Sequence, residues 1–164
     1  YIDKQNRNCF PIFSDAASAI LFNKQNTPRL LSSIYFTDGT GENNLILKKN
    51  KKLFMHGANV FTFTAQQVPH ATNLLLKKTN LKINDVSLFI YHQASKTVLD
   101  FVKNRLSIPK NKFLYDITDH GNTVSSTIPI SLIRSKHKIK KNKPILVMGF
   151  GVGYSLCGGI FNFD

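Results

Sequence analysis

The spacing of apolar and polar residues changes several times along the chain, and each change marks an element. Residues 86–91 (Val86-Ser87-Leu88-Phe89-Ile90-Tyr91) form an apolar run bounded by turn signals, which predicts a buried parallel strand. Asn80 and Asn84, around Leu81-Lys82-Ile83, supply turn and cap residues before it. Beyond it, Val98, Leu99, Val102 and Leu106 fall on one helix face, with Ser95 as N-cap and Pro109 as the stop. Val60, Phe61, Val68, Leu75 and Leu76 predict a helix over 54–78, which Pro69 kinks or breaks. Further extended pieces are expected at 32–37, 113–117, 144–148 and 154–163, and 9–22 reads as strand, turn, strand. A short helix is expected over 125–134, with Pro129 either in its first turn or kinking it. The turn-rich segment 38–44 and the basic runs 48–52 and 135–143 read as surface connections. Strands alternating with helices define an α/β chain.

Two features near the end invite other readings. Residues 144–163 carry no charge over twenty positions, the length of a membrane span. Five glycines, Ser155 and Asn162 fit a strand-turn-strand hairpin in a core instead. Gly149-Phe150-Gly151-Val152-Gly153 follows a strand, as a dinucleotide loop would, yet the eleven residues after it look extended and not helical. The glycines read as a tight turn whose backbone N–H groups can approach a ligand.

A chain of 164 residues with 42% apolar content is enough for one domain with a core. Twenty-two basic against nine acidic residues give a net charge of +13. That balance points either to an acidic partner or to lysine-rich usage spread over solvated positions. Cys9 and Cys157 form no disulfide framework and suit a reducing, cytoplasmic compartment; both are expected to be small buried hydrophobes. The start at Tyr1 suggests a piece of a longer chain, and residues 1–10 show no signal-peptide pattern.

The chemistry is carried by two short motifs. His92-Gln93-Ala94 ends the run 86–91, and Asn122 lies 30 residues after His92 within His120-Gly121-Asn122-Thr123. The carboxyl ends of strands in α/β proteins are where ligands bind. A His and an Asn brought together there can hold an oxygen on which negative charge develops. His56, His70, His120 and His137 lack ligand spacing, so no metal site is expected. His120 is expected to pack or hydrogen-bond beside the Gly-Asn turn.

The order His92-Gln93-Ala94, Gly121-Asn122, Pro129, then Gly149 to Gly153, resembles the carboxyl-terminal half of the β-ketoacyl-acyl-carrier-protein synthase III family, over about residues 8–162. The resemblance implies a thiolase-like half: one mixed five-stranded sheet with helices on both faces. It divides the chain into 1–30, the end of a preceding half or a linker strand, and 31–164, the carboxyl-terminal domain. The implied reaction is a decarboxylative condensation of an acyl-coenzyme A with malonyl-acyl-carrier protein in fatty-acid or related biosynthesis. His92 and Asn122 would stabilise the enolate, with a neutral His92 donating through Nε2 and helping to keep the nucleophilic cysteine a thiolate. That cysteine belongs to an amino-terminal half, so this piece alone is expected to be inactive.

The same resemblance places Gly57 and Phe61 at the pantetheine channel. Gln93, Ala94, Ser95, Phe150, Gly151, Val152 and Gly153 are the other implied substrate-binding positions. Lys96, Lys103 and Arg105 would either meet the carrier protein or form a solvated helix face. No cofactor is implied, only coenzyme A and phosphopantetheine thioesters as substrates. The implied partners are acyl carrier protein, the chain's own amino-terminal half and a second copy in a homodimer, with no nucleic acid and no membrane. The uncovered docking face is expected to be apolar and to make the isolated piece self-associate. Ser14 and Ala16 stand where the family has glycines, and Ser95 where it usually has Asn. Two other readings remain: a non-condensing acyltransferase of the same fold, and, on charge alone, a basic nucleic-acid-binding domain.

Overall fold

The computed structural model describes residues 1–21 and 29–163. In chain order the elements are β1 (Arg29–Thr37), β2 (Leu45–Leu47), β3 (Leu53–Met55), α1 (Gly57–Lys78), β4 (Leu88–Tyr91), α2 (Lys96–Arg105), α3 (Thr127–Arg134), β5 (Pro144–Gly151) and β6 (Ser155–Asn162). The main sheet has the order β1-β6-β5-β4; β2 and β3 form a separate hairpin. All four residues of β4 are buried, as their unbroken apolarity predicts. β4 pairs in parallel with β5, Leu88 opposite Ile145 and Tyr91 opposite Met148. β6 returns antiparallel to β5 and pairs antiparallel with β1 on its other side.

Alternation along these strands creates two layers. Phe89, Tyr91, Leu146, Met148, Leu156 and Ile160 face α1 and α2 and join Val68, Leu75, Leu99 and Val102 in the larger core. The Tyr91 hydroxyl is not stranded there, because Thr72 of α1 meets it at 3.0 Å. Leu88, Ile90 and Ile145 face the other way, under Ile128 and Leu132 of α3. Helices thus cover both faces of a mixed α/β sheet.

Helix α1 runs unbroken through Pro69. An interior proline costs roughly 3 kcal/mol. Against that, α1 buries Phe63, Val68, Leu75 and Leu76, each contributing about 2 kcal/mol on leaving water. Packing outweighs the local penalty, so the expected kink or break does not divide the helix. The helix begins at Gly57, after Phe54 and Met55 have paired in β3. Residues 48–52 form the hairpin tip between β2 and β3, where Lys52 pairs with Asp3 at 2.7 Å.

Several expectations are corrected. The fifth strand expected over 113–117 is reduced to one parallel bridge, Phe113 to Phe89. The Leu114 N–H reaches Phe89 O at 3.0 Å, but the next outward N–H, of Asp116, is taken at 2.8 Å by the Gln93 side chain, which ends the ladder. Residues 9–12 turn on themselves, with Ile12 and Phe13 N–H groups both on Cys9 O, and only Phe13 bridges, to Asn122. Residues 19–21 form no strand, and Phe22 lies outside the described residues, as does Asp164. Helix α2 ends at Arg105 with Leu106 as its C-cap, before Pro109, because Ser107 turns to φ 53°. Gly149 and Gly151 lie within β5, leaving 152–154 as the turn, where Gly153 has φ 136°.

Cys9 is buried against Leu45 and Met55, but Cys157 is exposed. It lies on the face of β6 away from α1, opposite Tyr35 of β1 and Gly149 of β5. α3 covers that face only over β4 and β5, so Tyr35, at 85% exposure, and Leu30 stand open beside it. Among the described residues no helix is long and apolar enough to cross a membrane.

The segment expected as a loop at 38–44 is a 3-10 helix capped by Asp38, and it buries Gly41. A Cβ at Gly41 would overlap the Tyr154 ring, which stacks on Phe63 at 4.4 Å between centroids. Gly39, two residues earlier, has open space around it. We expect Gly41→Ala to lower stability by roughly 1–3 kcal/mol through overpacking. Gly39→Ala should stay within about 0.5 kcal/mol of the parent. Urea midpoints for the two variants provide the check.

Candidate active site

His92 is placed by the sheet. Its backbone N–H donates to Met148 O at 2.8 Å, one rung beyond the last residue of β4, so the side chain leaves from the strand's carboxyl end. The chain then turns sharply, with Ala94 N–H on His92 O at 2.9 Å. Ser95 starts α2 by accepting the Val98 N–H at 3.2 Å. Gln93 is fully buried, and its amide donates to Tyr91 O at 2.7 Å while accepting from Asp116 N–H. The Gln93 side chain therefore braces β4 against the 116–122 segment instead of facing outward.

Asn122 arrives on that segment. Gly121 adopts φ 61°, and a Cβ there would crowd Ile12 O at 3.1 Å, so glycine is required for this approach. Asn122 bonds Ile12 and Ser14 through its backbone, both at 3.0 Å, and Ser14 Oγ also donates to His120 O. The Asn122 Oδ1 accepts the Val124 N–H at 2.9 Å. Its Nδ2 has no partner among the described residues, so the amide presents its donor.

One side chain joins the two motifs. Thr127, buried at the start of α3, places its hydroxyl 2.6 Å from His92 Nδ1 and 3.1 Å from Val124 O. The Phe150 ring meets the His92 ring edge to face at 5.3 Å between centroids. His92, Asn122 and Phe150 thus come to one end of the sheet, linked through Thr127 and Val124. Burial pulls the His92 pKa down to about 4, so the imidazole is neutral near pH 7. A neutral imidazole and a carboxamide are two uncharged hydrogen-bond donors, suited to an oxygen that gains charge.

The other implied positions lie on α1, on α2 and at the β5–β6 hairpin. Phe61 packs edge to face on Phe101 of α2, with centroids 5.4 Å apart, and Gly57 opens α1. Gly151, Val152 and Gly153 form the hairpin next to Phe150, and Val152 is exposed. Lys96 pairs with Asp100 at 2.6 Å, while Lys103 lies over the Tyr115 ring, whose hydroxyl donates to the same Asp100 at 2.7 Å. Arg105 is exposed. His120 lies 3.8 Å from Asp116, whose carboxylate holds Arg134 at 2.8 Å. Among the described residues no group of three His, Cys, Asp or Glu side chains could hold a metal. A cleft of about 650 Å³ lined by Lys112, Lys138, Lys140 and Lys143 lies where β4 and β5 begin, at the opposite end from His92. Thr127 is the residue that sequence patterning missed: nothing in Ser125-Ser126-Thr127 marks which hydroxyl faces the histidine.

A mixed sheet covered on both faces, with a strand-end His and a loop Asn converging at one edge, defines half of a thiolase-like α/β protein. Residues 76–163 match the family described as 3-oxoacyl-[acyl-carrier-protein] synthase III, C terminal. The chain belongs to that family. It is 31% identical over 184 aligned residues to the β-ketoacyl-[acyl-carrier-protein] synthase III of Acaryochloris marina, an alignment covering 100% of this chain and 55% of that protein. The same enzyme of Listeria welshimeri is 34% identical over 145 residues, covering 87% of this chain and 46% of the relative. The crystal structure of 3-oxoacyl-[acyl-carrier-protein] synthase III from Aquifex aeolicus shares the fold with a TM-score of 0.88 at 24% identity, covering 99% of this chain and 54% of that one. The chain spans about half the length of the relatives it matches.

Because His92 is held neutral, the folded chain resists taking up a proton that the unfolded chain accepts at about pH 6.5. This group leaves stability unchanged above pH 6.5. It removes up to about 3 kcal/mol as pH falls from 6.5 to 4, and no more below that. Urea unfolding along a pH series should show a steeper loss in the parent than in His92→Gln across that window.

Proposed function

We propose that this chain is the carboxyl-terminal half of a 3-oxoacyl-acyl-carrier-protein synthase III that condenses an acyl-coenzyme A with malonyl-acyl-carrier protein. An acyl group passes from coenzyme A to a cysteine of the amino-terminal half, forming a thioester. Malonyl thioester then binds, and its carbonyl oxygen gains charge as carbon dioxide leaves. The Nε2–H of His92 and the Nδ2–H of Asn122 donate to that oxygen. The carbanion attacks the acyl-cysteine carbonyl, forming the carbon–carbon bond and expelling the cysteine thiolate. The observation that carries this reading is the convergence of a buried, neutral His92 with an Asn122 whose Oδ1 is already engaged, leaving two donors and no charge.

Cys9 and Cys157 lie away from this centre, the first buried under the β2–β3 hairpin and the second on the outer face of β6, so the nucleophile comes from elsewhere in the protein. The open patch around Tyr35, Leu30 and Cys157 suits the amino-terminal half, with the boundary between halves near residue 30. Gly57, Phe61 and the 150–153 hairpin line the approach for the pantetheine arm. Arg105, with Lys96 and Lys103 on the same helix, is the surface for the acidic carrier protein. The reading needs no cofactor, and it places the protein in the cytoplasm as a homodimer.

The test uses the full-length protein and follows carbon dioxide release from malonyl-acyl-carrier protein. His92→Ala and Asn122→Ala should each slow release by about 100-fold, the effect of losing one donor worth about 3 kcal/mol. Unchanged release in both variants would sink the proposal. Acyl transfer without carbon dioxide release would point to an acyltransferase on the same fold.

A further inference from the structure

We propose that Thr127 is a positioning residue that sets the tautomer of His92: its hydroxyl donates to Nδ1 and so holds the ring proton on Nε2. The inference rests on the function proposed above, in which Nε2 must donate to the substrate oxygen. The Thr127 hydroxyl has a single hydrogen and lies within reach of two acceptors, His92 Nδ1 at 2.6 Å and Val124 O at 3.1 Å.

Val124 O does not need that hydrogen, because it already accepts the backbone N–H of Thr127. The His92 contact is also the shorter of the two, as expected of the bond that takes the hydrogen. A neutral imidazole has one N–H and one lone pair. With the lone pair at Nδ1 occupied by the hydroxyl, the proton resides on Nε2.

The surroundings keep the pair in place. Thr127 is fully buried and β-branched, so its hydroxyl direction is restricted. The His92 ring is held from below by the last rung of the sheet and at its side by Phe150. The turn that carries Thr127 also aims Asn122, through the Val124 N–H on Oδ1. One short segment, 122–127, therefore orients both donors. A hydroxyl serving only the helix start would bond Val124 O and accept from Nδ1–H, presenting a lone pair where a donor is required.

The test is long-range proton–nitrogen NMR on full-length protein labelled with nitrogen-15 histidine, at neutral pH, with the His92 signals assigned by their loss in His92→Gln. The parent and Thr127→Ser should show an unprotonated Nδ1 and a protonated Nε2. Thr127→Val should show a mixture of tautomers. Carbon dioxide release should stay within about threefold in Thr127→Ser and fall about tenfold or more in Thr127→Val. A parent protein with its proton on Nδ1 overturns the proposal, whatever its activity. So does a folded Thr127→Val protein that keeps a single Nε2–H tautomer and the full rate. If the parent and variants show the expected tautomers but the parent releases no carbon dioxide, the tautomer assignment stands and the proposed function fails.

Discussion

The parallel pairing of β4 with β5 is the contact on which the rest depends. Four consecutive buried residues leave β4 no solvent-facing side, so it can exist only with a covered sheet face above and below. The pairing continues one rung past the strand, through His92 N–H and Met148 O, and that rung puts a polar side chain at the strand's end. Gln93 then diverts the Asp116 N–H, and the chain leaves the sheet edge towards the turn that carries Asn122. Slipping the register by one residue would exchange the two faces of β4, sending Phe89 and Tyr91 to α3 and removing His92 from the rung.

The strand end so produced brings together uncharged groups. Its histidine is kept neutral by burial, its asparagine is oriented by a backbone N–H, and the ion pairs close by serve other ends. Asp116 and Arg134 tie α3 to the segment before Asn122, and Asp100 of α2 holds Lys96 of the same helix and Tyr115 beyond it. Charge holds the frame, while uncharged hydrogen-bonding groups occupy the strand end. Preorganised dipoles stabilise developing charge without having to reorient during reaction.

What could be read from the sequence was what depends on local pattern. β4, α2 with its Ser95 cap, the Pro129 helix and the closing hairpin all follow from periodicity and capping chemistry, and His92 and Asn122 stand at strand and turn ends because of them. What could not be read depends on partners distant along the chain. The fifth strand fails because a side chain 23 residues earlier takes its N–H. Gly149 and Gly151 look like turn residues in isolation, yet β6 extends their pairing as far as Ser155. Cys157 looks like a core residue until the strand's facing is known. Pro69 reads as a breaker because the apolar burial that outweighs it belongs to the assembled core. Thr127 has no local signature: its role exists only once α3 lies against the end of β4.

The strand order has a consequence for how such a chain comes off the ribosome. Among the described strands, β6 comes last in sequence yet lies between β1 and β5, so β1 pairs in the sheet only after β6 has been synthesised. Ile34 and Phe36 wait through more than a hundred residues of synthesis for the strand that pairs with them. β4 and β5 can meet sooner, with β5 still offering a free edge. Closure of the sheet therefore joins strands more than a hundred residues apart in sequence, and until then an unpaired β-edge is open to other nascent chains.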